Sequence, residues 1–447
     1  MSKNILLLGA GRSTASLIHY LLDESKKNDW NITLVERNAK FAKAKTNGHS
    51  NARILSFDIE DQKLREKHIS EADIVISMLP VRFHALVIED CIALKKNMVT
   101  ASYISPKIAE LNSKAVEAGI TVVMEMGVDP GIDHMSAMQL IDRIRNNGGK
   151  MLLFESFTGG LVAPESDNNP WNYKFTWNPR NVVLAGQGSA AKFIQKGKYK
   201  YIPYHQLFRR TEYITIDGYG KFEGYANRDS LNYRSVYALD DIQTLYRGTL
   251  RRPGFSRAWD FFVKLGATDD SYIMEGSKNM THREFINSFL AYDTHNSVEL
   301  KFRHYLNIPQ DDPIIEKFEW LGIFEDTAIG INEDKTPAQI LQHILEQKWN
   351  LADDDKDMIV MWHKLGWKSK DGSMKAMTSS MVVKGEDRTY TSMAKTVGLP
   401  VAIATKMVLE GKINNPGIHR PVTPDIYEPI LNELKEFGIS FVETETA

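Results

Sequence analysis

Apolar and polar positions alternate in a strand–helix rhythm over residues 1–130. Ile5-Leu6-Leu7-Leu8 is a short, continuously apolar run stopped by Gly9, the pattern of a parallel strand covered on both faces. Ala15 to Leu22 then places Leu17, Ile18, Leu21 and Leu22 on one helical face, and Ile32 to Val35 forms a second apolar run. Further strands are predicted over residues 52–58, 72–80, 97–102 and 120–126, with helices over 85–94 and 106–118. Pro80 lacks an N–H for a ladder, so the fourth strand should stop there. Six strands with intervening helices predict an α/β fold, an N-terminal Rossmann doubly wound parallel sheet whose domain ends near Asp129-Pro130-Gly131.

The texture then changes. A helix is predicted over residues 132–146, and strands of a second α/β sheet over 151–158, 213–216 and 235–239. Residues 160–180 are dense in Pro, Asn, Trp and Tyr, too irregular for an element and too rich in bulky side chains for a linker. The stretch 255–349 reads as mostly helical, interrupted at Pro309, Pro313 and Pro337. Asp353 to Asp357 reads as a solvated helix start, where acids suit the dipole, rather than a metal site. Another strand is predicted over 377–383, and an apolar helix over 394–409, broken at Gly398-Leu399-Pro400. This divides the chain into a first domain (1–130), a substrate domain (131–254 with 351–392), a helical insertion (255–350) and a segment (393–447) that returns to the first domain.

The junction of the first strand and helix carries the clearest chemistry. Gly9 permits a tight turn, and Gly11 lets the backbone approach a pyrophosphate. A helix starting near Ser13 would aim free N–H groups at that anion, and Glu36, closing the second strand, is placed to take ribose hydroxyls. Thr14 stands where the fingerprint has its third glycine, so helix and strand should lie further apart than usual. A Gly-x-Gly alone fits any strand-to-helix turn. The flanking strands and Glu36 are what favour a dinucleotide.

Size and composition narrow the classes. A chain of 447 residues exceeds one core's usual span, and 55 basic against 57 acidic residues give no reason to expect a nucleic-acid or anionic-membrane partner. The single cysteine, Cys91, excludes an internal disulfide and a multi-cysteine metal site, and fits a reducing compartment. Without a signal-peptide pattern or an apolar run of membrane-spanning length, the expectation is a soluble, cytoplasmic protein.

Other candidates lie at strand ends. Ala101-Ser102-Tyr103 closes the fifth strand on the edge that also carries Gly9 and Leu79-Pro80. In Gly127-Val128-Asp129-Pro130-Gly131-Ile132-Asp133-His134, the proline drives Asp129 out of helical geometry. Asp129 reads equally as a site carboxylate and as the N-cap of a helix starting at Pro130; Asp133 and His134 read as structural. Two basic groups follow, Tyr225 to Ser230 containing Arg228, and Tyr246 to Arg252 containing Arg247 and Arg251. Guanidinium groups beside small residues suit a carboxylate ligand, although surface arginines are commonplace.

Together these stretches resemble the saccharopine dehydrogenase family, in its glutamate-forming branch. The resemblance runs through TASYISP (100–106), GVDPGIDH (127–134), Gly159 to Lys174, Asn227 to Ser230, RGTLR (247–251), Asp357 to Met361 and SMAKTVGLPVAIATK (392–406). It implies an oxidoreductase of lysine metabolism that interconverts saccharopine, NAD(P)+ and water with L-glutamate, 2-aminoadipate 6-semialdehyde and NAD(P)H. The saccharopine contacts it implies are Ser102, Tyr103, Asp129, Arg228, Thr249, Leu250 and Arg251, with Asp129 and Tyr103 as candidates for proton transfer. The cofactor contacts are Gly9, Gly11, Arg12, Ser13, Thr14, Glu36, Arg37, Asn38, Leu79, Pro80 and Ala101.

The chain departs from the family pattern at two places. Thr158 stands where many members carry a cysteine, which removes a thiol from the chemistry. Glu36-Arg37 would repel a 2′-phosphate and favour NAD, with NADP not excluded because Arg37 can reach a phosphate. A carboxynorspermidine-dehydrogenase-like reductase and a non-catalytic NAD(P)-binding sensor remain open alternatives, and a homodimer is compatible with the sequence.

Overall fold

The computed structural model describes residues 2–185 and 187–446. The chain forms two compact units. One runs to Met151 and resumes at Trp367; the other spans Leu152–Gly366.

In the first unit, β1 (Lys3–Leu8), β2 (Trp30–Val35), β3 (Ala52–Leu55), β4 (Ile74–Ser77), β5 (Asn97–Thr100) and β6 (Thr121–Val123) lie in one parallel sheet. Its order is β6-β5-β4-β1-β2-β3, and a seventh strand, Gly417–His419, extends it beyond β6. The apolar runs are buried because helices cover both faces. Leu7, Leu8, Ile32, Leu34, Ile74 and Ile76 have essentially no exposed surface. The order reverses between β1 and β4, and such switch points open a crevice at the carboxyl ends of the strands.

This unit extends past the boundary at 130 that the sequence suggested. The helix Ile132–Asn146 packs on the helix Pro424–Glu436, so its apolar face is buried here. The segment Ser392–Leu409 is one uninterrupted helix with Pro400 inside it, where a break was expected. It lies on α1 (Ala15–Asn28) so closely that a Cβ at Gly398 would come within 2.9 Å of the Leu17 backbone nitrogen. Against the composition-based expectation, this helix is long and apolar enough to cross a membrane by those two criteria; 78% of its window is buried inside the protein.

The second unit is a mixed sheet. It contains β7 (Lys150–Val162), the hairpin β8 (Ala191–Gln195) and β9 (Lys198–Ile202), β10 (Thr211–Ile216), β11 (Gly220–Ala226), β12 (Thr244–Arg251) and β13 (Asp357–Lys368). The order is β10-β11-β12-β7-β13, with β8 attached to β12. Two sequence expectations fail here. Residues 235–239 form no strand: Tyr233–Val236 is a helical turn, and Ala238 takes a left-handed φ of 48° that ends it. The acids 353–357 do not start a helix. Asp355 accepts from Lys174 at 2.6 Å and from the Ala352 N–H, and Asp357 opens β13.

The aromatics of residues 160–180 belong to the core. Trp171 stacks on Phe262 and meets Trp349 edge-on at 5.2 Å, while Tyr173 packs on Phe255 at 5.1 Å. The helical stretch 255–349 therefore shares one core with this loop.

Candidate active site

The glycine turn leaves β1 at the switch point. Gly9 has φ +93°, and a Cβ there would sit 2.8 Å from the Met78 carbonyl oxygen, so the close approach of β1 to β4 needs glycine. A Cβ at Gly11 would meet nothing within 4 Å, which leaves an open face beside the turn. Arg12–Thr14 is a single 3-10 turn leading into α1. Among the described residues the N–H groups of Gly11, Arg12 and Ser13 donate to no protein acceptor. Open space faced by free N–H groups at a helix start is the arrangement an anionic pyrophosphate requires. The residues present fit a dinucleotide.

Glu36 fixes the other side of this turn. Its carboxylate accepts from the Ala10 N–H at 2.9 Å and from the Asn38 N–H at 3.2 Å, so it sits against the glycine turn. Arg37 and Asn38 are exposed beside it, and the Asn38 side chain caps the following helix. Thr14, the β-branched third position, is buried and donates its hydroxyl to the Gly11 carbonyl at 2.8 Å. The hydroxyl thus finds a partner inside the turn.

At the carboxyl edge of β4 and β5, Ser77 and Thr100 are joined by a hydrogen bond from the Thr100 hydroxyl to the Ser77 carbonyl at 2.7 Å. Leu79, Pro80 and Ala101 lie on the loops that follow, with Leu79 and Ala101 partly exposed and Pro80 exposed. Ser102 is half-buried, and Tyr103 is 39% exposed. The Tyr103 hydroxyl lies 3.3 Å from Asp129 Oδ1 and 3.4 Å from its carbonyl oxygen. The structure therefore brings the two proton-transfer candidates together. Asp129 is not a helix cap, because the helix begins at Ile132 and the Gly131 N–H is taken by Asp133.

A residue the sequence reading missed holds this pair. Glu125 is buried with φ +58° just beyond β6. Its carboxylate accepts from the Ile104 N–H at 3.0 Å, from Arg420 at 2.9 Å and from His134 at 2.9 Å, while its own N–H donates to the Ser102 carbonyl. Burial opposes its ionisation, but hydrogen bonds and charge from His134 and Arg420 outweigh that and hold the carboxyl below its usual range. The signal was present: an acid in the apolar run Val122-Val123-Met124-Glu125-Met126 needs buried partners.

The remaining candidates lie in the second unit, and the two arginine groups meet there. β11 and β12 pair antiparallel with Tyr225 opposite Thr249 and Glu223 opposite Arg251. Past the strand end, the Asn227 N–H donates to the Arg247 carbonyl at 2.9 Å, and the Arg247 N–H to the Ser230 hydroxyl at 3.0 Å. Arg228 is exposed, with φ +46°, and its carbonyl accepts from the Lys192 N–H. Leu250 is fully buried. Thr249 stands opposite Thr158 in the parallel β12–β7 pair, and the Thr158 hydroxyl is buried without a partner.

Arg251 is 4% exposed. It lies 5.0 Å from the Tyr173 ring centroid and donates to the Leu250 carbonyl at 2.9 Å, while its Nε has no partner. Among the described residues no carboxylate pairs with it. A buried guanidinium so under-used calls for an anion.

Two family models match the chain: the saccharopine dehydrogenase NADP binding domain over residues 5–123, and the saccharopine dehydrogenase C-terminal domain over residues 127–439. A Saccharomyces cerevisiae saccharopine dehydrogenase [NADP(+), L-glutamate-forming] is 36% identical, with 100% of each chain covered. The Schizosaccharomyces pombe protein of the same name is 34% identical over 98% of each. The mitochondrial alpha-aminoadipic semialdehyde synthase of Rattus norvegicus is 35% identical over 98% of this chain, which spans 47% of that protein. The structure of apo saccharopine dehydrogenase (L-Glu forming) from S. cerevisiae superposes with a TM-score of 0.89 over 100% of both chains at 36% identity.

Proposed function

We infer what this chain does from one premise: it belongs to the saccharopine dehydrogenase family. We propose that it interconverts saccharopine, NAD(P)+ and water with L-glutamate, 2-aminoadipate 6-semialdehyde and NAD(P)H. The observation in this chain that carries the reading is the buried guanidinium of Arg251, which among the described residues forms no ion pair with a carboxylate and leaves its Nε unpartnered. A substrate with three carboxylates supplies the missing anion, and Arg228 is proposed to take a second.

A dinucleotide whose pyrophosphate is taken by the N–H groups of Gly11, Arg12 and Ser13 would supply, through its nicotinamide, the hydride acceptor for the carbon beside the bridging nitrogen. The chain's own residues manage protons and water. Asp129 and Tyr103, 3.3 Å apart, are proposed to take the proton of the secondary amine and then that of the water adding to the imine. Collapse of the carbinolamine releases glutamate and the semialdehyde, with one proton passed to solvent. Ser102, Thr249 and Leu250 are proposed to line the substrate, and Thr158 to orient the water.

For the cofactor, we propose a preference for NAD on the strength of Glu36, whose carboxylate sits against the turn where a 2′-phosphate would bring more negative charge. A preference for NADP is the second reading, favoured by the names of the fungal relatives and of the N-terminal family model. Saccharopine-dependent reduction of NAD, measured beside NADP with purified protein, tests both. Turnover with neither would overturn the enzymatic reading, and turnover of a polyamine precursor in place of saccharopine would move the chain to another amine-forming reductase. We further propose that the protein works in the cytosol.

A further inference from the structure

Helix α2 (Ala39–Thr46) sends one side chain back to the glycine turn. The Lys45 ammonium donates to the Ala10 carbonyl at 2.8 Å, to the Thr14 hydroxyl at 3.0 Å and to the Gly11 carbonyl. An ammonium has three protons, and here each has an acceptor on the turn. The carbonyl of Ala10 belongs to the same peptide as the Gly11 N–H, and that of Gly11 to the same peptide as the Arg12 N–H. A cation on the oxygen side of a peptide polarises it and strengthens the N–H on the far side. Those two, with that of Ser13, are the three N–H groups of the turn that have no protein acceptor among the described residues.

We propose that Lys45 is a positioning residue of the dinucleotide site. It braces the turn from behind, through the Thr14 hydroxyl that stands in place of a third glycine, and lends its charge to the turn's hold on a pyrophosphate. The ammonium acts through the peptides and needs no contact with the ligand. This rests on the dinucleotide reading of the turn.

Three hydrogen bonds alone would explain a purely structural brace, so the charge has to be tested apart from the geometry. Burial lowers the Lys45 pKa to about 8, and Glu36 is the charged neighbour that works against this. Other charged groups on the elements around it are Arg12 on the turn, Arg53 on β3 and Lys43 on its own helix, all exposed; on α1, His19 faces Asp23 at 3.1 Å. Lys45 therefore loses its charge within a pH range where binding can be followed.

The probe is ADP-ribose, which carries the pyrophosphate but no nicotinamide, titrated calorimetrically into the full chain between about pH 6.5 and about 9.5. For the parent protein the dissociation constant should rise about tenfold as Lys45 loses its proton. Lys45→Met should bind weakly at every pH with no step, and Lys45→Arg should bind tightly and stay flat. A parent affinity independent of pH, or a Lys45→Met protein that keeps the parental step, would overturn the proposal. Should Lys45→Met fail to fold, the parent and Lys45→Arg profiles decide by themselves. A parent that binds neither ADP-ribose nor its 2′-phosphate at any pH would instead remove the dinucleotide reading.

Discussion

Replacing Glu36 by glutamine separates what that side chain does for any dinucleotide from what it does against one kind. The carboxylate accepts from the Ala10 N–H, which shapes the turn, and on the proposed dinucleotide reading it also sets a negative charge beside the adenosine ribose. The amide of Glu36→Gln keeps an oxygen for Ala10 and removes the charge. Loss of the Asn38 N–H bond costs about 1 kcal/mol and falls on NAD and NADP alike. The charge term does not cancel. A 2′-phosphate of about two charges held ~5 Å from the carboxylate, at a half-exposed edge, is repelled by about 2 kcal/mol. The ratio of kcat/KM for NADP over NAD should therefore rise roughly thirtyfold in Glu36→Gln. The assay is the initial rate with saturating saccharopine and each cofactor varied, supported by direct binding titrations of NAD and NADP. A ratio that moves by less than about threefold would refute the argument, because it would mean that this carboxylate does not face the ribose.

Three further outcomes follow from single features. Arg251→Met should raise the KM for saccharopine at least tenfold while leaving the apo protein as stable or more stable, since a buried cation without an anion costs more than a thioether; loss of apo stability with unchanged KM would make Arg251 purely structural. His84 is buried against the Ser77 hydroxyl, and burial pushes its pKa down to about 4. The unfolded chain takes that proton near pH 6.5, so the stability contributed by the neutral ring is complete above about 6.5 and is lost as pH falls toward 4. This amounts to up to about 3 kcal/mol, and a His84→Asn variant should lose correspondingly less over that window in urea titrations. Gly398→Ala would gain about 1 kcal/mol of helix propensity. The new Cβ, 2.9 Å from the Leu17 nitrogen, should cost about 1–3 kcal/mol, so the net change should be a lower denaturation midpoint.

The parts of this molecule legible in the sequence are those where local pattern and buried environment agree. Ile5–Leu8 is apolar throughout, and Ile32–Val35 and Ile74–Ser77 are so apart from Thr33 and Ser77, because both faces of the sheet are covered; the pattern identifies them without further context. The second sheet hides the same physics. Thr244-Leu245-Tyr246-Arg247-Gly248-Thr249-Leu250-Arg251 is a nearly buried central strand, yet two arginines and two threonines make it read as surface. Those polar side chains are inside with partners from the protein: the Arg247 guanidinium lies over the Tyr233 ring, and the Thr244 hydroxyl accepts from the Lys196 N–H. In contrast, Ser235–Leu239 has strand-forming residues but no strand to pair with, and it closes as a helical turn. The membrane-length helix was misread for a related reason: Gly398 and Pro400 look like breakers, but the glycine is what lets the helix lie on α1.

The connection between fold and chemistry in the first unit runs through Glu125. Its oxygens reach Ile104 on the loop after β5, His134 on the helix Ile132–Asn146 and Arg420 just beyond the seventh strand, three segments far apart in sequence. The loop it fixes carries Ser102 and Tyr103, and the helix it fixes follows directly on Asp129. The separation of the Tyr103 hydroxyl from Asp129 is therefore set by a carboxylate that touches neither. Proton transfer tolerates little drift in such a distance. On the proposed proton-transfer roles of Tyr103 and Asp129, the return of the C-terminal segment has a chemical reason as well as a packing one. Arg420 supplies positive charge that keeps Glu125 ionised, and an ionised Glu125 holds the loop and helix that bring Tyr103 and Asp129 together.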